Sequence, residues 1–228
     1  VSFSFSFSSS FFSFLFCKMA SMTCRCGKVG LEFTDTKPRV STECCCSSCF
    51  NRVNFLAKKG GPALPADVNQ PLLMSKWDNY VVVQKGREEL FAYKLTNETL
   101  VVNIATKCCH TFMLGRHKGY DANCVTTSTD FPLFFDVDED YRHASSRWFT
   151  DQWDPQRLKS QQKLVGIWVD ESKDDKPLIG DDGFEDILKR QLESVQREII
   201  IKKEGGETFD AILESLGGNI VIVSESEK

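Results

Sequence analysis

Four cysteines within six residues, Cys44-Cys45-Cys46-Ser47-Ser48-Cys49, constrain this chain more than any other stretch. Packing does not explain such crowding, and adjacent cysteines make poor disulfide frameworks because a bridge needs well-directed Cβ vectors. Metal ligation explains it. In an extended chain alternate side chains share a face, so Cys44 and Cys46 point together while Cys45 points away as a bystander. Cys49 then returns across a tight turn, which places the thiolates of Cys44, Cys46 and Cys49 around one ion. A tetrahedral zinc held this way lacks a ligand, and an unfilled position is what a catalytic site needs.

The wider cysteine usage agrees. Of ten cysteines, eight fall in tight groups at 24/26, 44/45/46/49 and 108/109. That distribution favours bound metal in a reducing compartment over a secreted disulfide scaffold, so a cytoplasmic location is expected, with the nucleus second. A net charge of -4 gives no electrostatic case for a nucleic-acid partner. No run after the first residues approaches the roughly 18 apolar residues of a membrane span, so no membrane partner is expected. Charge is uneven: residues 1–150 carry 17 basic and 14 acidic side chains, residues 151–228 carry 11 and 18. The acidic C-terminal third reads as solvated surface before it reads as a docking site.

Residues 1–18 are an almost pure Phe/Ser alternation with neither an early basic residue nor a small-residue cleavage site. They read as a non-domain leader, a translated pyrimidine-rich segment with the start at Met19 or Met22; a targeting peptide is the rival. From Met22, Cys24-Arg25-Cys26-Gly27 puts two sulfurs on one face, and Gly27 lets the backbone turn close to an ion. Val29, Leu31 and Phe33 then alternate as a half-buried strand. A second strand, 39–43, delivers the chain into the cysteine stretch, and Val53, Phe55 and Ala57 alternate beyond it. Residues 62–76 read as an irregular excursion. Short β-branched and aromatic runs at 80–83, 90–93 and 100–105, with others near 112–114 and 124–127, predict an antiparallel sheet system. Trp148 and Trp153 read as covers for a sheet edge, and 164–169 as a last strand. From Asp181 the texture is helical, with Asp182 and Glu185 as a capping pair and Phe184, Ile187, Leu188, Leu192, Val195 and Ile199 on one face. A second helix runs from Thr208 to the Gly217-Gly218 stop, and 219–223 is a closing strand.

The order Cys24-x-Cys26-Gly27, Cys44-x-Cys46-Ser47-x-Cys49, Cys109-x-Thr111 resembles the zinc domain shared by glutathione-dependent formaldehyde-activating enzyme and centromere protein V. The resemblance covers roughly residues 22–130. It implies a mainly β fold of small twisted antiparallel sheets around zinc sites, here a zinc domain at 19–150 with an appended α/β extension at 151–228. It implies two zinc ions: a structural one on Cys24, Cys26, Cys109 and one further cysteine, and a second on Cys44, Cys46 and Cys49. The family's pattern calls for a cysteine at 106, where this chain has Thr. Cys108 is the favoured replacement; His110, water, or loss of the ion are the alternatives. Cys17 lies in the leader, and Cys124 reads as a small buried apolar residue.

The family's enzymatic members are carbon–sulfur lyases that join glutathione to formaldehyde, giving S-hydroxymethylglutathione. That implies a thiol such as glutathione as partner and Cys44, Cys46 and Cys49 as the catalytic set. A zinc ion there either presents the thiol as thiolate or polarises the aldehyde; three thiolates weaken Lewis acidity, which favours thiol capture. Lys58, Lys59, Arg116 and Lys118 are candidate partners for glutathione's carboxylates. A non-enzymatic interaction module of the centromere-protein kind is the main rival, and a third reading puts Cys24, Cys26, Cys46 and Cys49 around a single structural ion.

Overall fold

A computed structural model describes residues 19–64, 71–119, 123–152, 164–200 and 202–224. The leader and Trp153 lie outside the described residues.

The protein is mainly β, built on two sheets. The smaller contains β1 (Ser21–Thr23), β2 (Gly30–Phe33), β5 (Val81–Lys85) and β10 (Leu133–Phe135), in the order β10-β1-β2-β5 and antiparallel throughout. The larger contains β3 (Val40–Cys44), β4 (Leu72–Asp78), β6 (Leu90–Lys94), β7 (Val101–Thr106), β8 (Phe112–His117) and β9 (Cys124–Ser128). To these the C-terminal part adds β11 (Arg147–Trp148), β12 (Gly166–Val169), β13 (Leu178–Gly180) and β14 (Ile220–Ile222). Their order is β13-β12-β11-β3-β4-β9-β8-β7-β6-β14. This sheet is neither small nor wholly antiparallel: β11 runs parallel to both β3 and β12, and β14 runs parallel to β6.

Side-chain alternation along the larger sheet sorts its residues into two cores, one per face. Leu90 and Ala92 join Met22, Leu31, Phe33 and Trp77 under the smaller sheet, while Tyr93 and Leu95 join Leu72, Met74 and Phe112 on the other face. Phe33 stacks on Trp77 at 4.3 Å between ring centroids, tying the two sheets together.

Two stretches depart from the sequence reading. The alternation of Val53, Phe55 and Ala57 is not a strand but part of α1 (Ser47–Lys58). Arg52, Val53, Phe55 and Leu56 are buried while Asn54 is exposed, which is the face of a helix and not of a pleat. The excursion assigned to 62–76 ends in β4, a central strand buried along most of its length because one core lies on each of its faces; Ser75 and Lys76 within it hide the apolar signal.

The C-terminal elements are woven into the same cores. In α3 (Phe209–Ser215), Phe209 and Ile212 pack under the smaller sheet, and Thr208 caps the helix by accepting the Ala211 amide. In α2 (Phe184–Gln196) the cap differs from expectation: Gly183, with φ 83°, occupies the N-cap and Asp182 makes no cap bond there. Ile199 lies past the end of α2. Gln191 anchors α2 to β11, donating to Ser146 Oγ at 2.7 Å and accepting from Trp148 Nε1 at 3.1 Å. Arg39 fastens its other end, donating to the Val195 and Arg197 carbonyls at 3.1 and 2.6 Å.

Candidate metal centres

Two separate groups of cysteine sulfurs form, each with its ligand atoms within 4.8 Å of one another: Cys24, Cys26, Cys108 and Cys109, and Cys44, Cys46 and Cys49. A metal–sulfur bond of about 2.3 Å puts the corners of a tetrahedron about 3.8 Å apart. In the first group the Cys24–Cys26, Cys24–Cys108, Cys26–Cys108 and Cys108–Cys109 separations are 3.6, 3.9, 3.4 and 3.9 Å. In the second, Cys44 lies 3.3 Å from Cys46 and 3.4 Å from Cys49. Both donor sets fit a thiophilic cation. The arrangement with Cys24, Cys26, Cys46 and Cys49 on one ion is not the one built.

The first group joins two turns. Gly27, at φ 74°, donates its amide to the Cys24 carbonyl at 2.9 Å and curls the Cys24–Gly27 segment, and the Val29 amide points at Cys24 Sγ from 3.3 Å. Cys108 and Cys109 sit in the turn between β7 and β8, so Cys108 supplies the fourth sulfur and His110 is not among the clustered ligands. Thr106, which stands where the family's pattern has cysteine, takes a different part. Its hydroxyl lies 3.5 Å from Cys109 Sγ and accepts the Thr111 amide at 3.0 Å, while Thr111 Oγ1 lies 3.1 Å from the same sulfur. Burial works to raise the Cys109 thiol, but the two hydroxyls together with contacts from Cys26 outweigh it and bring it down to about 6. Burial pushes Cys108 up to about 12.

The second group is organised by a helix terminus. Cys46 is the N-cap of α1, with extended backbone, and its sulfur accepts the Cys49 amide at 3.3 Å. Cys49 sits in the first turn, where unpaired amides and the helix dipole favour a thiolate. Contacts from Cys44 and Cys46, reinforced by the charges of Arg52 and Lys76, hold the Cys49 thiol well below the ordinary range. Cys44 is held well above it by those same sulfur contacts and by burial. Cys45 points elsewhere: its sulfur is outside the group, burial pushes it up to about 12, and its amide donates to the Trp148 carbonyl at 2.9 Å. Among the described residues no further His, Cys, Asp or Glu joins the three sulfurs.

Cys44, Cys46 and Cys49 line a cavity of about 650 Å³. Its floor is the larger sheet: Thr42, Met74, Lys76, Thr126 and Gly115. Arg52 leans across this floor, its guanidinium 4.2 Å from the Phe112 ring and its Nη1 donating to Asn103 Oδ1 at 3.2 Å. A Cβ at Gly115 would come 3.3 Å from Phe112 Cζ. One wall comes from Leu95, Leu100 and Val101 around the β6–β7 turn. Facing it, the C-terminal third contributes Val169 and Leu178 of β12 and β13, and Leu188 and Leu192 of α2. Trp148 and Phe149 complete the enclosure, so Trp148 lines the cavity where the sequence reading had it covering a sheet edge.

The cations nominated from sequence are elsewhere. Lys58 and Lys59 lie at the C-terminal end of a 12-residue helix whose other end carries the sulfurs, about 18 Å away. Arg116 pairs with Asp210 at 2.5 Å, and Lys118 is not among the lining residues. The cations present are Arg52 and Lys76, both buried. Arg52 could have been found, because it stands three residues after Cys49 on the same helical face. Lys76 carries no such signal.

No protein-family model matches the chain, and a search of curated proteins finds no significant match. The likeness drawn from the cysteine pattern therefore rests on that pattern alone.

Proposed function

We propose that the protein binds two zinc ions, a structural one on Cys24, Cys26, Cys108 and Cys109 and a reactive one on Cys44, Cys46 and Cys49. At the second it takes up a thiol such as glutathione and forms or cleaves that thiol's adduct with formaldehyde or another small aldehyde. One observation carries the reading: three clustered sulfurs, that of Cys44 lying 3.3 and 3.4 Å from the other two, beside a cavity large enough for an organic ligand. A zinc ion bound there supplies an exchangeable coordination position that favours the thiolate form of a thiol.

The chain's own groups prepare for that chemistry. Arg52 and Lys76 offset the negative charge that three thiolates accumulate. His117 lines the cavity and its Nδ1 accepts the Gly119 amide at 3.0 Å, which leaves the proton of the neutral ring on Nε2. In the forward direction the sulfur–carbon bond forms as the carbonyl π bond opens, and the thiol's proton ends on the former carbonyl oxygen. Cleavage is the reverse, with no net redox change.

The experiment is metal analysis together with titration by glutathione and 2-mercaptoethanol, on wild type and Cys46→Ser. Wild type is expected to carry two zinc ions and to bind thiols. The variant, in which serine remains a competent helix cap, is expected to stay folded with one ion and to lose thiol binding. Equal thiol binding by the two proteins refutes the reading.

A further inference from the structure

The cavity does not suit glutathione well. At neutral pH glutathione carries two carboxylates and an ammonium group. Among the described lining residues there is no carboxylate to meet the ammonium. The cations on the floor are already engaged: Arg52 with Phe112 and Asn103, and both Arg52 and Lys76 with the charge of Cys49. The walls above the sulfurs are hydrocarbon, supplied from opposite sides by the β6–β7 turn and by β12, β13 and α2. Burying a charged peptide against them is unfavourable, whereas burying an alkyl chain or ring is favourable.

We propose that the site selects a thiol bearing an apolar chain or aromatic ring over glutathione, its sulfur directed to the Cys44–Cys46–Cys49 group and its hydrocarbon held between Leu100 and α2. This rests on the reading that the three-sulfur site takes up a thiol. It also gives the C-terminal third a role, because α2, pinned by Gln191 and Arg39, sets the apolar specificity. Leu100 and Leu192 line the cavity yet are 56% and 43% exposed, as expected of a mouth that a ligand closes.

The test is calorimetric binding of propanethiol, butanethiol, pentanethiol, phenylmethanethiol and glutathione to the zinc-loaded protein. Each added methylene is expected to tighten binding about fourfold, and phenylmethanethiol to bind at least about tenfold more tightly than glutathione. The double variant Leu100→Ser/Leu192→Ser, altered only where side chains are largely exposed, is expected to reduce the increment per methylene to about twofold with unchanged zinc content. Thiols that bind with no dependence on chain length, glutathione matching phenylmethanethiol, or a double variant that keeps the full increment would each overturn the apolar selectivity and leave thiol uptake standing. If no thiol binds at all, both proposals fall.

Discussion

The two cysteine groups share their donor chemistry and differ in how they are closed. Cys24, Cys26, Cys108 and Cys109 bring four sulfurs together from two turns, and the sulfur with the lowest proton affinity, Cys109, is held by two threonine hydroxyls and Cys26. Cys44, Cys46 and Cys49 come from one strand end and one helix start, stop at three, and rely on a helix terminus and two buried cations. A closed shell can only hold the fold; a shell with one side turned to a cavity can also exchange a ligand. On the proposed function, identical residue types serve two purposes, decided by whether the backbone brings a fourth sulfur.

The largest expected effect breaks the closed group. Cys24 is fully buried and clamped by the Val29 amide, so Cys24→Ser should abolish that site and, with it, much of the stability that structural metal supplies to small domains, about 10 kcal/mol or more in peptides. We expect no cooperative melt by circular dichroism; a Tm near that of wild type would show the group is dispensable.

Acid should separate the groups next. Each protonated thiol must release its proton to bind the ion, so affinity falls at both sites as pH falls. Cys109, at about 6, and Cys49, well below the ordinary range, have least to give up. The four-sulfur group still has one thiol more to deprotonate, so its affinity should fall about tenfold more steeply per pH unit. Proton release, measured by calorimetry in buffers of different ionisation enthalpy, should differ by about one proton between the groups, and equal release would remove the distinction.

A smaller effect probes the cations. Lys76→Met keeps the stem and removes the charge near Cys49, and should weaken zinc at the three-sulfur site by about tenfold while sparing the other. Competition with a chelator reads both affinities; an equal loss at both would point to general destabilisation. Smallest of all, Thr106→Cys adds a sulfur beside a filled shell. It should leave the metal count unchanged and cost about 1 kcal/mol for the hydroxyl that accepts the Thr111 amide, visible as a slight fall in Tm. A third bound ion would mean the four positions are not closed.

Much of the metal chemistry was legible because it is local. Cys44-x-Cys46 shares a face in any extended strand, and Gly27 marks a tight turn wherever it occurs. Cys108 was the favoured of several stand-ins for the cysteine that the resemblance puts at 106, and the clustering of the sulfurs selects it. The mainly β class followed from short runs of β-branched and aromatic residues. What the sequence hid is non-local. Val53, Phe55 and Ala57 satisfy a period of two by coincidence, and only the burial of Arg52 and Leu56 shows the helix. β4 is buried on both faces and so lacks the alternation that a half-exposed strand displays. The cavity wall is the clearest case, since Leu100 and Leu192 are 92 residues apart and become neighbours of one space only through the order of strands.

Cys46 has a double attachment with a consequence of its own. Its sulfur is one corner of the open triangle and also the acceptor that terminates α1, whose Val53, Phe55 and Leu56 are wedged into the interior. Oxidising that atom would therefore both take a corner from the triangle and unpin a helix end, so damage at the sulfurs would be felt by the hydrocarbon packed behind them.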